Sequence, residues 1–280
     1  MTSQDASKTA IDALPPLSTM VRALDMRARK SLGQNFLFDL NLTRRIARSA
    51  GTLNGTTIEV GPGPGGLTRA LLLEGAKQVI AIEKDFRARS VLDSLLIAAD
   101  GRLQLVEGDA LKTPIWEMGD APRRIIANLP YNIATSLLIR WLEHAPAFES
   151  LTLMFQREVA ERITAAPGDS AYGRLSILTG WHADAQILFD IPPEAFVPAP
   201  KIISSVVQIR PLSAPRFACS QSALETVTRL AFGQRRKMLR ASLKSVGGAP
   251  MLEVAGIDPQ SRPQDLDIAA FCRLANSVGV

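Results

Sequence analysis

The chain has 280 residues, 46% of them hydrophobic and 21% charged, which suits one large soluble domain or one domain plus a smaller one. No apolar run reaches bilayer length, no secretory h-region opens the chain, and Cys219 and Cys272 have neither zinc-ligand spacing nor company for a disulfide framework, so a cytoplasmic protein without a membrane span is expected. The net charge is +5, and Pro211 to Val280 hold nine Lys/Arg against five Asp/Glu, so a basic C-terminal lobe on a nearly neutral body points to a polyanionic partner.

Residues 1–24 are mixed in character, carry the pair Pro15–Pro16 and are expected to form a flexible arm. Asp39 reads as the N-cap of a helix with Leu42, Ile46, Ala47 and Ala50 on one face and Gly51 as its stop. Strands are expected at 57–60, 78–82, 103–106, 124–128 and 151–155. Between and after them come helices from Gly66 to Glu74, Asp85 to about Ala99, Ile133 to His144 and onward from Arg157. Leu175, Leu178 and Trp181 fit helix or strand equally well. Two late strands, 186–191 and 203–210, flank a Pro-rich loop and imply an antiparallel edge on a mainly parallel, doubly wound sheet. After the linker-like stretch from Pro211 to Pro215 the pattern is helical only, with helices around 224–231, 238–246 and 267–277. The expected organisation is therefore an arm (1–24), an α/β domain (25–212) and a small helical domain (213–280).

Asn128-Leu129-Pro130-Tyr131 closes the apolar run Ile125-Ile126-Ala127. A conjugated exocyclic amine is a poor nucleophile because its lone pair is delocalised into the ring. The Asn128 carboxamide oxygen and a nearby backbone carbonyl at Leu129 can both accept its N–H hydrogens and free that lone pair. Pro130 fixes φ, and Tyr131 offers a ring on which the amine's own ring can stack. With only His144 and His182, and no G-x-S-x-G elbow, metal hydrolysis and acyl transfer are disfavoured and no metal is expected.

Upstream, Glu59-Val60-Gly61-Pro62-Gly63-Pro64-Gly65-Gly66 follows a strand and opens a helix, which satisfies the dinucleotide fingerprint. Glu83 follows roughly 20 residues later, where an acid binds ribose hydroxyls. Two features argue against a dehydrogenase. Glu59 would repel a pyrophosphate, and the two prolines remove N–H donors that a pyrophosphate wants. S-adenosylmethionine, with its adenosine and cationic sulfonium, fits better. Gly61 and Gly63 would let backbone approach its methionyl part, Glu83 would hold the ribose, and Asp109 would accept from the adenine amine.

These residues, together with Ser31-Leu32-Gly33-Gln34-Asn35-Phe36-Leu37, Phe155-Gln156-Arg157-Glu158-Val159, Ala171 to Ser176, Ala195 to Lys201 and Phe232-Gly233-Gln234-Arg235-Arg236-Lys237, make the chain resemble the ribosomal RNA adenine N6-dimethyltransferases, over roughly residues 30–276. The resemblance is strongest to the bacterial small-subunit members. It implies a Rossmann-like, S-adenosylmethionine-dependent fold with a seven-stranded sheet and a helical RNA-binding domain. It implies a monomer that dimethylates adjacent adenosines in the 3′-terminal hairpin loop of 16S ribosomal RNA during small-subunit biogenesis. Asn35 and Leu37 would cover the cofactor; Gly61, Glu83, Asp109 and Asn128 would touch it; Phe196 would face Tyr131 across the target adenine. The family usually has an acidic residue where Ile203 stands here, and the N-terminal arm is longer than in many relatives.

Methyl transfer from a sulfonium is an in-line displacement that needs alignment more than acid–base help. The alkylated nitrogen sheds a proton readily, so no dedicated base is needed. A flipped-out adenine would stack on Tyr131 and Phe196. Arg236, Arg240 and Lys244 recur every fourth residue and are expected on one helix face, with Arg235 and Lys237 alongside, to contact phosphates. Arg27, Arg29 and Lys30 form a second basic patch. The rivals are a large-subunit methylase conferring macrolide resistance, a ribosome-assembly or transcription factor whose binding outweighs its methylation, and, remotely, an oxidoreductase.

Overall fold

A computed structural model describes residues 3–26, 28–29 and 32–278. They form two compact units, one drawn from residues 1–157 and 186–211, the other from 158–185 and 212–280. In chain order the elements are α1 (Ser3–Asp12), α2 (Leu17–Ala23), β1 (Phe36–Leu37), α3 (Leu40–Ser49), β2 (Thr56–Val60), α4 (Gly66–Leu73), β3 (Gln78–Glu83), α5 (Ala88–Ala98), β4 (Leu103–Glu107), β5 (Arg123–Asn128), α6 (Tyr131–Leu142) and β6 (Ser150–Gln156). There follow α7 (Arg157–Thr164), α8 (Arg174–His182), β7 (Ala183–Ile191), β8 (Phe196–Val197), β9 (Ser204–Pro211), α9 (Gln221–Gly233), α10 (Leu239–Ser242), α11 (Gly248–Val254) and α12 (Ile268–Ser277).

The first unit is built on a seven-stranded sheet in the order β4-β3-β2-β5-β6-β9-β7. The five strands from β4 to β6 pair in parallel, and β9 runs antiparallel to β6. Crossover helices on the sheet faces explain why β5 and β6 carry apolar runs, and why every residue of β2 is buried although only Ile58 and Val60 are apolar. The mainly parallel Rossmann-like sheet with an antiparallel strand is the architecture expected from the alternation. Its chain order reverses between β2 and β5, and in such sheets ligands bind beyond the carboxyl ends of the strands at that point. Asp39 caps α3 by accepting from the N–H groups of Asn41 and Leu42. Helix α5 starts later than expected, at Ala88, because the Asp85 carboxylate holds the Arg87 N–H in a turn.

Residues 3–24, expected as an arm, carry helical structure. They form α1 and α2, with Ile11 fully buried and Leu17 in the same core as Leu71, Leu72 and Leu92. Ser7 Oγ donates to the Ala98 carbonyl at 2.8 Å, and Arg102 donates to Ser7 Oγ at 2.8 Å. The buried Arg69 guanidinium donates to the carbonyls of Asp12, at the end of α1, and of Leu14 and Pro15 in the connection to α2. Pro15–Pro16 is the corner between two helices rather than a sign of disorder. The partners lie 54 to 95 residues away, so local pattern carries no trace of them.

In the second unit Leu224, Val227, Leu252, Phe271 and Leu274 are buried together with Tyr172 and Trp181. Tyr172 donates to the Leu266 carbonyl at 2.9 Å, and Trp181 Nε1 to the Phe217 carbonyl at 2.7 Å. Residues 174–182 are helical. The division assigns 158–185 to this unit, whereas the sequence boundary near 212 left them with the sheet. Among the described residues no helix is long and apolar enough to cross a membrane.

Candidate functional site

A cleft opens at the carboxyl ends of β4, β3, β2 and β5, four neighbours whose parallel register brings distant loops together. Asn35, Leu37, Glu59, Gly61, Gly63, Glu83, Asp109, Asn128, Leu129 and Pro130 all line it. The loop after β2 spends its donors internally. The N–H of Gly61 goes to the Ile82 carbonyl, that of Gly63 to Glu83 Oε2 and that of Gly65 to the Pro62 carbonyl, each at 2.9 Å. Pro62 and Pro64 have no N–H. This loop therefore offers little to a pyrophosphate, unlike a dinucleotide-binding turn. Gly63 adopts φ +52°, and a Cβ on Gly66 would meet the Leu37 carbonyl at 2.3 Å, so both glycines are set by backbone geometry.

Three carboxylates define the electrostatics. Glu83 accepts from the N–H groups of Gly63 and Asp85, and burial still raises its pKa. Asp109 accepts from Lys84 Nζ at 2.8 Å and the Leu111 N–H at 3.0 Å, contacts that hold its carboxyl below the usual range. Glu59 is 2% exposed, and its Oε2 has no hydrogen-bond partner. Burial pushes its pKa up to about 8, hydrogen bonding from Thr68 offsets a part, and the charge of Glu83 adds to the rise. An unsatisfied buried acid beside a second carboxylate suits a cationic ligand, which would favour its ionised form and draw the raised pKa back down.

The segment 32–37 forms one wall of the cleft and is pinned by β1, where Leu37 pairs with Phe196 and Phe36 with Val197. Asn128 Nδ2 donates to the Asn35 carbonyl at 2.9 Å, which turns Oδ1 outward as an acceptor. The Pro130 carbonyl is committed to helix α6, accepting from Ile133 and Ala134, so the Leu129 carbonyl is the neighbouring acceptor. Half-buried Tyr131 has its hydroxyl 2.6 Å from Ser204 Oγ. Phe196 is 2% exposed and packed in the core, so its ring does not stand open opposite Tyr131. Gln34, Lys84 and Ser204, which hold Asp85, Asp109 and Tyr131, escape sequence reading because each acts through a partner distant in the chain.

In the second unit the basic run does not share one helix face. Helix α9 ends at Gly233, residues 234–238 turn, α10 covers only four residues, and Lys244 opens a 3-10 turn. Arg236, Lys237, Arg240 and Lys244 are nevertheless exposed, while Arg235 donates to the Asp169 carbonyl. Of the second patch, Arg29 is exposed; Arg27 and Lys30, like Ser31, lie outside the described residues.

Residues 25–279 match the profile of the ribosomal RNA adenine dimethylases. The chain is 56% identical over 278 residues to the ribosomal RNA small subunit methyltransferase A of Azorhizobium caulinodans, covering 97% of this chain and 95% of that one. The Rhodospirillum rubrum protein of the same name is 54% identical, covering 98% and 96%. Among solved structures, a dimethyladenosine transferase from Plasmodium falciparum aligns with TM-score 0.71 at 26% identity, over 85% of this chain and 95% of its own. The 23S rRNA methyltransferase ErmE aligns with TM-score 0.65 at 27% identity, over 87% and 99%. Fold, cleft and similarity over nearly the whole length agree, and the chain belongs to the ribosomal RNA adenine dimethylase family of methyltransferases.

Proposed function

We propose that this chain uses S-adenosylmethionine to dimethylate N6 of adjacent adenosines in the 3′-terminal hairpin loop of small-subunit ribosomal RNA during subunit biogenesis. The observation that carries the reading is the meeting of Glu59, Glu83, Asp109 and Asn128 at four adjacent strand ends. Bound in the cleft, S-adenosylmethionine supplies a methyl group on a sulfonium centre. Glu83 accepts from the ribose hydroxyls with the lone pairs that Gly63 and Asp85 leave free, and Asp109 does the same for the adenine amine. Glu59 provides the counter-charge for the cationic end. Gly61 and Gly63 keep the methionyl side open, and Asn35 and Leu37 close the cleft from the segment before β2.

Asn128 Oδ1 and the Leu129 carbonyl accept from the target amine, draw it towards tetrahedral geometry and align its lone pair. Tyr131 stacks on the flipped base, its ring fixed by Ser204. Phe196 is the second platform, which requires the segment around β8 to shift and expose its ring. Arg235, Arg236, Lys237, Arg240 and Lys244 contact RNA phosphates, with Arg29 as a further cation. Small-subunit specificity is supported by the names of relatives above 50% identity. The similarity to a 23S rRNA methyltransferase, at 27%, favours the large-subunit alternative less. We read the form as a cytoplasmic monomer, the compartment from the composition and the monomer from what the family resemblance implies. A role in subunit assembly alone leaves the Asn128–Tyr131 constellation unexplained.

The test is position-resolved mass spectrometry of ribosomal RNA nucleosides in cells with and without the gene, beside calorimetry of the pure protein with S-adenosylmethionine and NAD. Loss of dimethyladenosine from the small-subunit hairpin loop, and binding of the first ligand only, are expected. Modification at another site, or binding of NAD only, overturns the reading.

A further inference from the structure

We propose that Gln34 is a positioning residue that couples the ribose side of the cleft to the Asn128 amide, an inference that rests on the reading of the cleft just given. Its carboxamide is held at both ends. Nε2 donates to Asp85 Oδ2 at 3.0 Å, and Oε1 accepts from the Arg29 N–H at 2.9 Å. Asp85 is itself fixed, buried to 3% exposure, with its Oδ1 accepting from Arg87 Nε at 2.9 Å and its own N–H donating to Glu83 Oε1 at 2.7 Å. Burial works to raise the Asp85 carboxyl, but hydrogen bonds from Arg87 and Gln34 outweigh it and hold the group below its ordinary range, so it is a charged acceptor at neutral pH.

One residue further along, the Asn35 carbonyl accepts from Asn128 Nδ2. A continuous path of bonded groups thus runs from Glu83 through Asp85 and Gln34, and across one peptide unit, to the amide that would orient the target amine. The path matters because a primary amide has two orientations of similar shape, and only the donor bond to Asn35 selects the one that presents Oδ1 outward. That carbonyl lies in residues 33–35, a turn and loop without helix or strand that leads into Phe36, entered through Gly33 at φ +63°. Its position is set by the two-residue pairing of β1 on one side and by Gln34 on the other. Without the Gln34 anchor the carbonyl drifts, and both the lid over the cofactor and the Asn128 orientation loosen together.

The experiment compares wild type with Gln34→Ala and with the isosteric Gln34→Glu, which removes the donor and faces Asp85 with a second carboxylate. Hydrogen exchange of amides 33–37 is measured on the free protein, S-adenosylmethionine affinity by calorimetry, and kcat at saturating cofactor on small-subunit RNA particles. We expect faster exchange confined to 33–37, and affinity and kcat each down about five- to tenfold, the net scale of one ordinary hydrogen bond. In an Asn128→Ala background Gln34→Ala should still weaken cofactor binding but lower the residual kcat no further. Unchanged kcat in both variants, or a full additional loss in the Asn128→Ala background, overturns the coupling and leaves Gln34 a loop anchor. Failure of the wild type to bind S-adenosylmethionine overturns the reading of the cleft, and the coupling with it. That result is distinct from one in which wild type binds and the variants match it.

Discussion

Glu59→Gln keeps the shape of a fully buried side chain and removes its ionisation. In the folded protein the carboxyl titrates at about 8 against an ordinary 4.5, so between those values the folded state holds a proton that the unfolded chain has released. Stability therefore falls as pH rises from about 4.5 and levels off above about 8, opposite to the behaviour of a salt-bridged carboxylate. At about 1.36 kcal/mol for each pH unit of that window, the cost is about 3 kcal/mol at pH 7, an upper figure because relaxation and water entry soften it. Urea unfolding of cofactor-free wild type and variant at about pH 5 and about pH 8.5 measures this directly. The variant should gain on the wild type by about 4 kcal/mol across that range, and parallel pH curves would refute the argument. S-adenosylmethionine should bind the variant more weakly. Its binding to wild type near pH 7 should release a proton, seen by calorimetry in buffers of different ionisation enthalpy.

Asn128→Ala should lower methyl transfer by about 10²- to 10³-fold with the fold intact, the scale for removing one aligned polar group from a transition state; near-normal single-turnover rates in a cofactor-saturated variant would exclude this role. Replacing Arg236, Arg240 and Lys244 by Ala should reduce the log–log salt slope of RNA binding by about one unit per lost phosphate contact and leave cofactor affinity unchanged. A salt titration giving an unchanged slope would show these cations to be merely solvated and shift attention to Arg29. Ile11→Ala should cost about 2–5 kcal/mol of stability by chemical denaturation, because Ile11 is fully buried in the main core; a neutral result would mean that α1 does not share in cooperative unfolding.

Strand positions were legible because buried parallel strands write their burial into short apolar runs such as Ile125-Ile126-Ala127 and Leu151 to Phe155. The cleft was legible because Glu59, Glu83, Asp109 and Asn128 each lie at or just beyond the carboxyl end of a strand, and parallel register does the rest. What stayed hidden depends on partners remote in sequence. The anchoring of α1 and α2 by Arg69, Ser7 and Arg102 is one case; the dependence of Asn128 on the Asn35 carbonyl is another. The spacing of Arg236, Arg240 and Lys244 mimicked a helix, but the segment 234–238 turns and breaks the face. Phe196 shows a different limit, since its place in a Pro-rich loop drew a stacking role while the structure holds it in the core, on a strand paired with Leu37.

The bonds of Ser7 to Ala98 and Arg102 carry a consequence for synthesis. Helix α1 leaves the ribosome well ahead of its anchors, since Arg69 follows Asp12 by 57 residues and Ala98 and Arg102 follow Ser7 by 91 and 95. Until then its apolar face, Ile11 included, is in water, and a 10-residue helix without tertiary support is marginal. Helix α1 is thus made before its partners and secured fully once α5 and the start of β4 have emerged. A nascent chain arrested before Arg102 should leave α1 open to protease, and one arrested well beyond it should protect it.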